Sequence, residues 1–359
     1  MEDLLHFVKM SKYAGERFDL TQAGGGNSSV KMDNGMMLIK ASGFLLSDVD
    51  YNNGYTTLEH LLVSDALNDS YFDNHQEKRE REKYAAHLVN KAVVNSSLRP
   101  SIETFLHSLL YKFTLHTHPI IVNMITCQKD WKQKLTLLFG DRALYVSYKT
   151  PGIELALAMN KELSEYKINY DTDPQIVFLQ NHGVIISADS TEEVYRINEE
   201  VLLLLEKNEN VDLSRYKYTN QISKLINEFN DVENTLYIAY LSEDTQVNLL
   251  TKNDFNLKIH PFCPDGYVFC GINVLVMPSL NSSYIKNYLA QNLELPKVII
   301  YNSMVFFIAN NVRKAKEMEE VFKFHLMVTD IVKENVNSLD IAEIRYLGNW
   351  EAEKYRQKL

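Results

Sequence analysis

The sequence predicts an α/β protein in two parts. Residues 1–215 read as a central, mostly antiparallel sheet layered by helices, and residues 232–359 as a smaller C-terminal α/β domain. Three observations carry this. A chain of 359 residues exceeds the usual size of one core. Short apolar runs alternate with longer stretches of helical period in both halves. Between the halves, residues 207–231 are polar and weakly patterned. A hydrophobic fraction of 45% and a charged fraction of 23% are ordinary for globular proteins, so disorder is excluded for the bulk of the chain.

The elements follow in order. Glycine is scarce, 13 in the chain, yet Gly24, Gly25 and Gly26 stand together, which marks a special backbone there. An Asp33-Asn34-Gly35 turn between two short runs, the second starting at Met36, predicts a β-hairpin leading into a small-residue turn at Ser42-Gly43. From Asp73 to Val94, Tyr84, Ala85, Leu88 and Val89 predict a helix whose charge run, Glu77 to Lys83, is a solvated face. Pro100 precedes a second helix starting at Ser101, whose hydroxyl can cap it above a stripe of Ile102, Phe105, Leu106, Leu109 and Leu110.

Phe113 to His118 alternates like a strand and ends at Pro119. Strands at 175–179 and 183–188 flank a turn at Asn181-His182-Gly183, and a helix follows from Thr191 to Glu206. In the second half, strands are expected at 267–277, 297–301 and 305–309, then a helix from Arg313 to about Glu334.

Composition limits the function. With 37 basic and 47 acidic residues the net charge is −10, which repels a phosphate backbone and argues against nucleic-acid partners. No apolar run approaches the ~18 residues that span a bilayer, so no membrane role is expected. Glu2 and Asp3 stand where a secretory leader carries Lys or Arg. Three cysteines, Cys127, Cys263 and Cys270, cannot all pair and form no CxxC, which fits a reduced, cytoplasmic setting.

His116-x-His118 is the sharpest chemical signal. On a strand, residues two apart share a face, so both imidazoles can reach one metal ion. His182, in a tight turn, is a third candidate ligand. Glu103 can serve the helix dipole or act as a general acid/base beside a metal. His107, four residues on, is expected to pack or to support. In the glycine segment, backbone N–H groups can approach an anion, with Asn27, Ser28 and Ser29 as side-chain donors and Lys40 as a nearby charge. No GxxxxGK[ST] or GxGxxG is present.

Together these segments resemble the class II (metal-dependent) aldolase/adducin family. The likeness runs through Gly24-Gly-Gly-Asn-Ser-Ser-Val-Lys31, Lys40-Ala-Ser-Gly43, Arg99-Pro-Ser-Ile-Glu-Thr104, His116-Thr-His-Pro119, Tyr148-Lys-Thr-Pro-Gly152 and Gln180-Asn-His-Gly183, in the family's order. It is similar above all to the aldolase half of bifunctional rhamnulose-1-phosphate aldolase/lactaldehyde dehydrogenase proteins. That similarity continues through Pro264-Asp265, Pro296-Lys-Val298, residues 313–322 and the end 351–359. Those proteins go on into a dehydrogenase that this sequence does not contain, so hydride transfer is not expected.

The resemblance implies a class II aldolase-like layered fold. It implies zinc, or another divalent transition metal, held by His116, His118 and His182, with Glu103 as the catalytic carboxylate. Gly26, Asn27, Ser42, Gly43 and Ser101 match positions that hold a substrate phosphate. Ile102 stands where a second serine is found in fuculose-phosphate-type members, and Gly24 where a threonine is found. The tyrosine proton donor of those enzymes has no counterpart that aligns. The implied activity is lyase chemistry on a sugar or sugar phosphate: C–C bond cleavage or formation through a metal-stabilised enediolate. A decarboxylase or epimerase acting on a sugar acid or pentulose phosphate would use nearly the same residues, and adducin is a non-catalytic member. A homo-oligomer, commonly a tetramer, is also implied.

Overall fold

The computed structural model describes residues 2–94, 97–258 and 260–349; the resemblance at 351–359 lies outside them. The chain divides between Leu213 and Ser214 into two units. The first carries β1 (Asn27–Lys31), β2 (Met36–Lys40), β3 (Tyr55–Glu59), β4 (Phe113–Thr117), β5 (Ala143–Val146), β6 (Ile176–Leu179) and β7 (Gly183–Ala188). They form one seven-stranded sheet in the order β3-β2-β1-β4-β7-β6-β5. Every neighbouring pair is antiparallel except β5 and β6.

The predicted hairpin is β1–β2. Gly35 takes φ +81° and Asn34 Oδ1 accepts from Met36 N at 3.1 Å, so each turn residue has a stated job. On one face Met37, Ile39, Leu58, Val177, Leu179 and Ile185 pack with Phe105, Leu106, and the helices Lys78–Ala92 and Ile153–Tyr170. Because strand side chains alternate, Leu38, Phe178, Val184 and Ile186 turn the other way. The helices Glu2–Gly15 and Thr191–Glu209 contact β4 and its neighbours there. Each fully buried large side chain contributes about 1.5–3 kcal/mol. β4, at the centre of this sheet, is buried along its whole length.

The second unit begins with the helix Ser214–Asn227. β8 (Ile238–Leu241), β9 (Leu275–Met277), β10 (Val298–Tyr301) and β11 (Met304–Ala309) form a four-stranded sheet in the order β8-β11-β10-β9. Asn302 and Ser303 both take positive φ, the backbone a two-residue hairpin needs between β10 and β11. The helix Val312–Val332 lays Ala315, Met318, Phe322 and Leu326 against Val305 and Phe307.

Four sequence expectations are corrected. The stretch 207–231 is mostly helical, because Tyr216, Thr219, Ile222, Ser223 and Ile226 recur at helical spacing and are buried. The run 267–277 is not one strand: Pro264–Cys270 is a helix with Pro at its start, closed at Gly271 (φ +78°), and only Leu275–Met277 is extended. The helix expected over 73–94 is two, Tyr71–Asn74 and Lys78–Ala92. The helix expected from Ser101 is confined to Thr104–Ser108, and Ile102 is 53% exposed rather than part of its stripe.

Candidate active site

β4 places His116 between β1 and β7, opposite Asn27 on one side and Ile185 on the other. Its Nδ1 donates to Val184 O at 3.0 Å, which makes Nε2 the nitrogen without a hydrogen in the neutral ring. His118 follows directly after β4, fixed by its N–H to Leu20 O at 2.9 Å. The two Nε2 atoms lie 3.1 Å apart, so the two-residue spacing does place both rings on one face.

His182 arrives from the tight β6–β7 turn. Asn181 takes φ +55°, and Asn123 Nδ2 donates to His182 O at 3.2 Å. Its Nε2 is 3.3 Å from that of His116. Gly183 makes this approach possible, since a Cβ there would fall 2.2 Å from Thr117 O.

Glu103 stands just ahead of the helix Thr104–Ser108. Its Oε1 is 3.2 Å from His182 Nε2 and 3.6 Å from His116 Nε2. The structure therefore gathers all four residues expected around a metal. Among the described residues, His116, His118 and His182 are the group of three that could hold one.

The electrostatics suit a cation. Burial pushes the His116 pKa down, against the pull of Glu103, and that of His118 to about 3. Burial also opposes the Glu103 charge. The neighbouring His116 and the hydrogen bond from His182 win, and hold this carboxyl below the usual carboxylate range. Three imidazole nitrogens converging beside a carboxylate fit a divalent transition metal.

Around the cluster the glycines have separate tasks. Gly24 has open space on its Cβ side. At Gly25 a Cβ would lie 2.8 Å from His118 Nδ1. Gly26 takes φ +77°, and its Cβ would meet His116 O at 2.9 Å. This segment is thus packed against the histidine strand.

Ser28 and Ser29, expected as anion donors, are buried and committed elsewhere. Ser28 Oγ is 2.7 Å from Ser11 Oγ, and Ser29 Oγ is 2.8 Å from His107 Nδ1. His107 is fully buried, its pKa driven to about 3 chiefly by desolvation, and it supports β1 rather than joining the three ligands. Asn27 is also buried, and its Oδ1 accepts from Ser28 N at 3.0 Å. Lys40 Nζ donates to Phe44 O at 2.7 Å, and burial lowers its pKa while Glu103 and Asp48 oppose.

Ser42, Gly43 and Ser101 form a second group. Ser42 N donates to Arg99 O at 2.8 Å and Ala41 bridges to Pro100, which sets the two serine segments side by side. Ser101 Oγ accepts from Glu103 N at 3.2 Å, linking this group to the cluster.

Three supports escaped the sequence reading. Arg17 is buried with Asp19, Nε to Oδ1 at 3.0 Å and Nη2 to Oδ2 at 2.6 Å, and also meets Glu199. Asp19 O then accepts from Ile120 N, next to the Leu20–His118 bond, so this pair holds the segment carrying His118. Gln180 Oε1 accepts from Tyr148 N at 3.0 Å, joining the last two resemblance segments. Glu82, expected in a solvated face, accepts from Ile153 N at 3.1 Å, and Arg81 pairs with Glu154 at 2.5 Å. The Arg17-x-Asp19 spacing was a visible signal; the Glu82 contact joins residues 71 positions apart and had none.

Residues 6–206 match the Class II Aldolase and Adducin N-terminal domain. This chain belongs to that family. Among curated proteins, the aldolase/adducin chain is 28% identical over 186 residues to the uncharacterized oxidoreductase YuxG of Bacillus subtilis (strain 168), covering 48% of this chain and 24% of that protein. It thus spans about a quarter of that relative's length. Among solved structures, it is similar to the N-terminal class II aldolase domain of a conserved protein from Thermoplasma acidophilum. There the identity is 26% and the TM-score 0.47, over 57% of this chain and 92% of the other. It is also similar to L-fuculose-1-phosphate aldolase from Thermus thermophilus, at 14% identity and TM-score 0.36, over 57% and 92%. The layered α/β unit with its mostly antiparallel sheet is the fold of this aldolase/adducin family. Among the described residues, no helix is long and apolar enough to cross a membrane.

Proposed function

We propose that this chain is a zinc-dependent lyase that breaks or forms a carbon–carbon bond in a sugar or sugar phosphate. The observation that carries the reading is the convergence of three Nε2 atoms, with Glu103 Oε1 alongside at 3.2 and 3.6 Å. His116, His118 and His182 would hold the ion, and three neutral ligands leave its charge unspent. Bound zinc supplies a Lewis acid that draws negative charge from adjacent substrate oxygens as the bond breaks.

The chain's own residues do the rest. Glu103, ionised and nearly dry, accepts a proton at Oε1 from the substrate and returns one to the carbon that keeps the bonding electron pair. No net proton is consumed. Its backbone is steadied by Ser101 Oγ, and the whole cluster by the sheet beneath it. Gly26, Asn27, Ser42, Gly43 and Ser101 are assigned to the far end of the substrate on the strength of the resemblance. The kinship with bifunctional aldolase/dehydrogenase proteins is part of the same proposal, and the oxidoreductase name of the longer Bacillus relative agrees with it.

The same first contacts would serve a decarboxylase or an epimerase, so products decide. Zinc-loaded protein is incubated with a panel of ketose phosphates and keto-acid phosphates. Release of an aldehyde together with a shorter ketone supports the proposal. CO₂ release transfers it to the carboxy-lyases, and inversion without cleavage to the epimerases. Failure to retain stoichiometric metal after zinc incubation would favour a scaffold.

A further inference from the structure

The helix Thr104–Ser108 brings a second polar side chain to the histidine cluster. His107 stands four residues after Glu103, so the two share one helix face, with roughly 5–6 Å between their Cβ atoms. Opposite them, Ser29 on β1 is the register partner of Thr114 on β4, and His116 comes two residues later. Ser29, Thr114 and His116 therefore point to the same face of the sheet. His107 Nδ1 lies 2.8 Å from Ser29 Oγ, which pins its ring to that face.

The other ring nitrogen is the anomaly. His107 is fully buried, and its Nε2 has no hydrogen-bond partner among the described residues. A buried polar atom left unsatisfied keeps the full cost of its desolvation, so its retention calls for a reason. Thr117 Oγ1 is orphaned as well, but one residue along β4 from His116 it points to the opposite face.

Glu103 has a use for such a partner. Its Oε1 accepts from His182 Nε2 at 3.2 Å and lies 3.6 Å from His116 Nε2. A ring nitrogen that ligates a metal has no hydrogen to give, so the carboxylate loses that bond when the three imidazoles are occupied. A neutral imidazole carries its one hydrogen on a single nitrogen. With Ser29 Oγ–H donating to Nδ1, the His107 hydrogen sits on Nε2, one helical turn from the carboxylate.

We propose that His107 is a positioning residue whose Nε2–H is a second berth for the Glu103 carboxylate, taken up when His116 and His182 are occupied. Held by one oxygen, Glu103 offers the other to the substrate in a fixed direction, as proton transfer from a preorganised group requires. The berth rests on the zinc-lyase reading. The place of the hydrogen on Nε2 rests only on the Ser29 contact and the orphaned nitrogen.

Imidazole nitrogen NMR of histidine-labelled protein tests both parts, with His107→Gln identifying the resonance by its loss. In zinc-chelated protein the hydrogen should sit on Nε2, and a hydrogen on Nδ1 overturns the proposal. Zinc with acetohydroxamate, a probe with two adjacent oxygens, should then move the Nε2–H proton downfield, and Glu103→Ala should abolish the shift. A proton signal that stays in place in the loaded protein overturns the berth alone. Failure to take up zinc removes the lyase reading, and the berth with it. Kinetics give a second readout. Asparagine can keep the contact with Ser29 but has nothing at Nε2, whereas glutamine carries an N–H to that end of the ring. His107→Asn should lower kcat about tenfold or more with KM little changed, and His107→Gln should recover most of it. Equal losses in the two variants, or a loss confined to the urea midpoint, assign His107 to packing and overturn the proposal.

Discussion

Adding one methyl group at Gly25 should loosen the metal site, and adding it at Gly24 should not. An alanine Cβ at 25 would lie 2.8 Å from His118 Nδ1, 3.0 Å from Gln22 O and 3.2 Å from His118 Cε1. Ordinary contact begins at 3.4 Å, so the ring or the loop must yield by about 0.6 Å. Metal–ligand distances tolerate about 0.2 Å, and a displaced support typically weakens metal binding by about 10–100-fold. The crowding itself should cost about 1–3 kcal/mol of stability in the metal-free protein. At Gly24 nothing lies within 4 Å and φ is not positive, so Gly24→Ala is an internal control for the loss of glycine freedom. Zinc affinity is read by competition with a chromogenic chelator, and stability by urea denaturation of chelated protein. If Gly25→Ala binds zinc as tightly as Gly24→Ala, the packing role assigned to Gly25 is wrong.

Further outcomes follow from the same geometry. Glu103→Gln should retain stoichiometric zinc by elemental analysis while turnover falls by about 10²–10⁴-fold, and unaltered turnover would remove Glu103 from its role. His118→Ala should lose both metal and turnover, as chelation of the parent protein should lose turnover reversibly. Arg17→Met leaves Asp19 buried without its partner and should destabilise the chain by about 3–5 kcal/mol; a urea midpoint equal to wild type would refute this. In chelated protein, His107 has a folded pKa of about 3 against an ordinary 6.5, so its charged form is disfavoured by folding. Stability is therefore present above pH 6.5 and lost as pH falls towards 3, by on the order of 5 kcal/mol in the limit. Urea midpoints at pH 7, 5.5 and 4.5 should drop more steeply in wild type than in His107→Asn.

The pairing of His116 with His118 was open to reading because it is local, whereas His182 and Glu103 joined the candidate site only through the family resemblance. His116 and His118 share a face by strand geometry alone, and the β1–β2 hairpin follows from Asn34-Gly35. The three-glycine run, too, announced an unusual backbone. What the run does was not legible: Gly25 and Gly26 make room for the rings and backbone of β4, some ninety residues later in the chain. Ser28 and Ser29 looked like donors for a ligand because sequence carries no burial, and the sheet turned both inward.

Local pattern failed where tertiary contacts outweighed it. The acid-and-base run before Tyr84 has the composition of a solvated face, yet Arg81 and Glu82 reach the start of another helix, while Arg79 and Lys83 wall a cleft. The helix Ser214–Asn227 had the right period but few apolar residues, so it read as linker until its polar Thr219 and Ser223 were seen to be buried. Sequence alone therefore determined which chemistry-bearing residues exist and which share a strand or a turn. Only the tertiary structure decided which of them meet, which are spent on each other, and which charges go unpaired. Those outcomes depend on sheet order and desolvation, quantities that arise when distant segments close on one another.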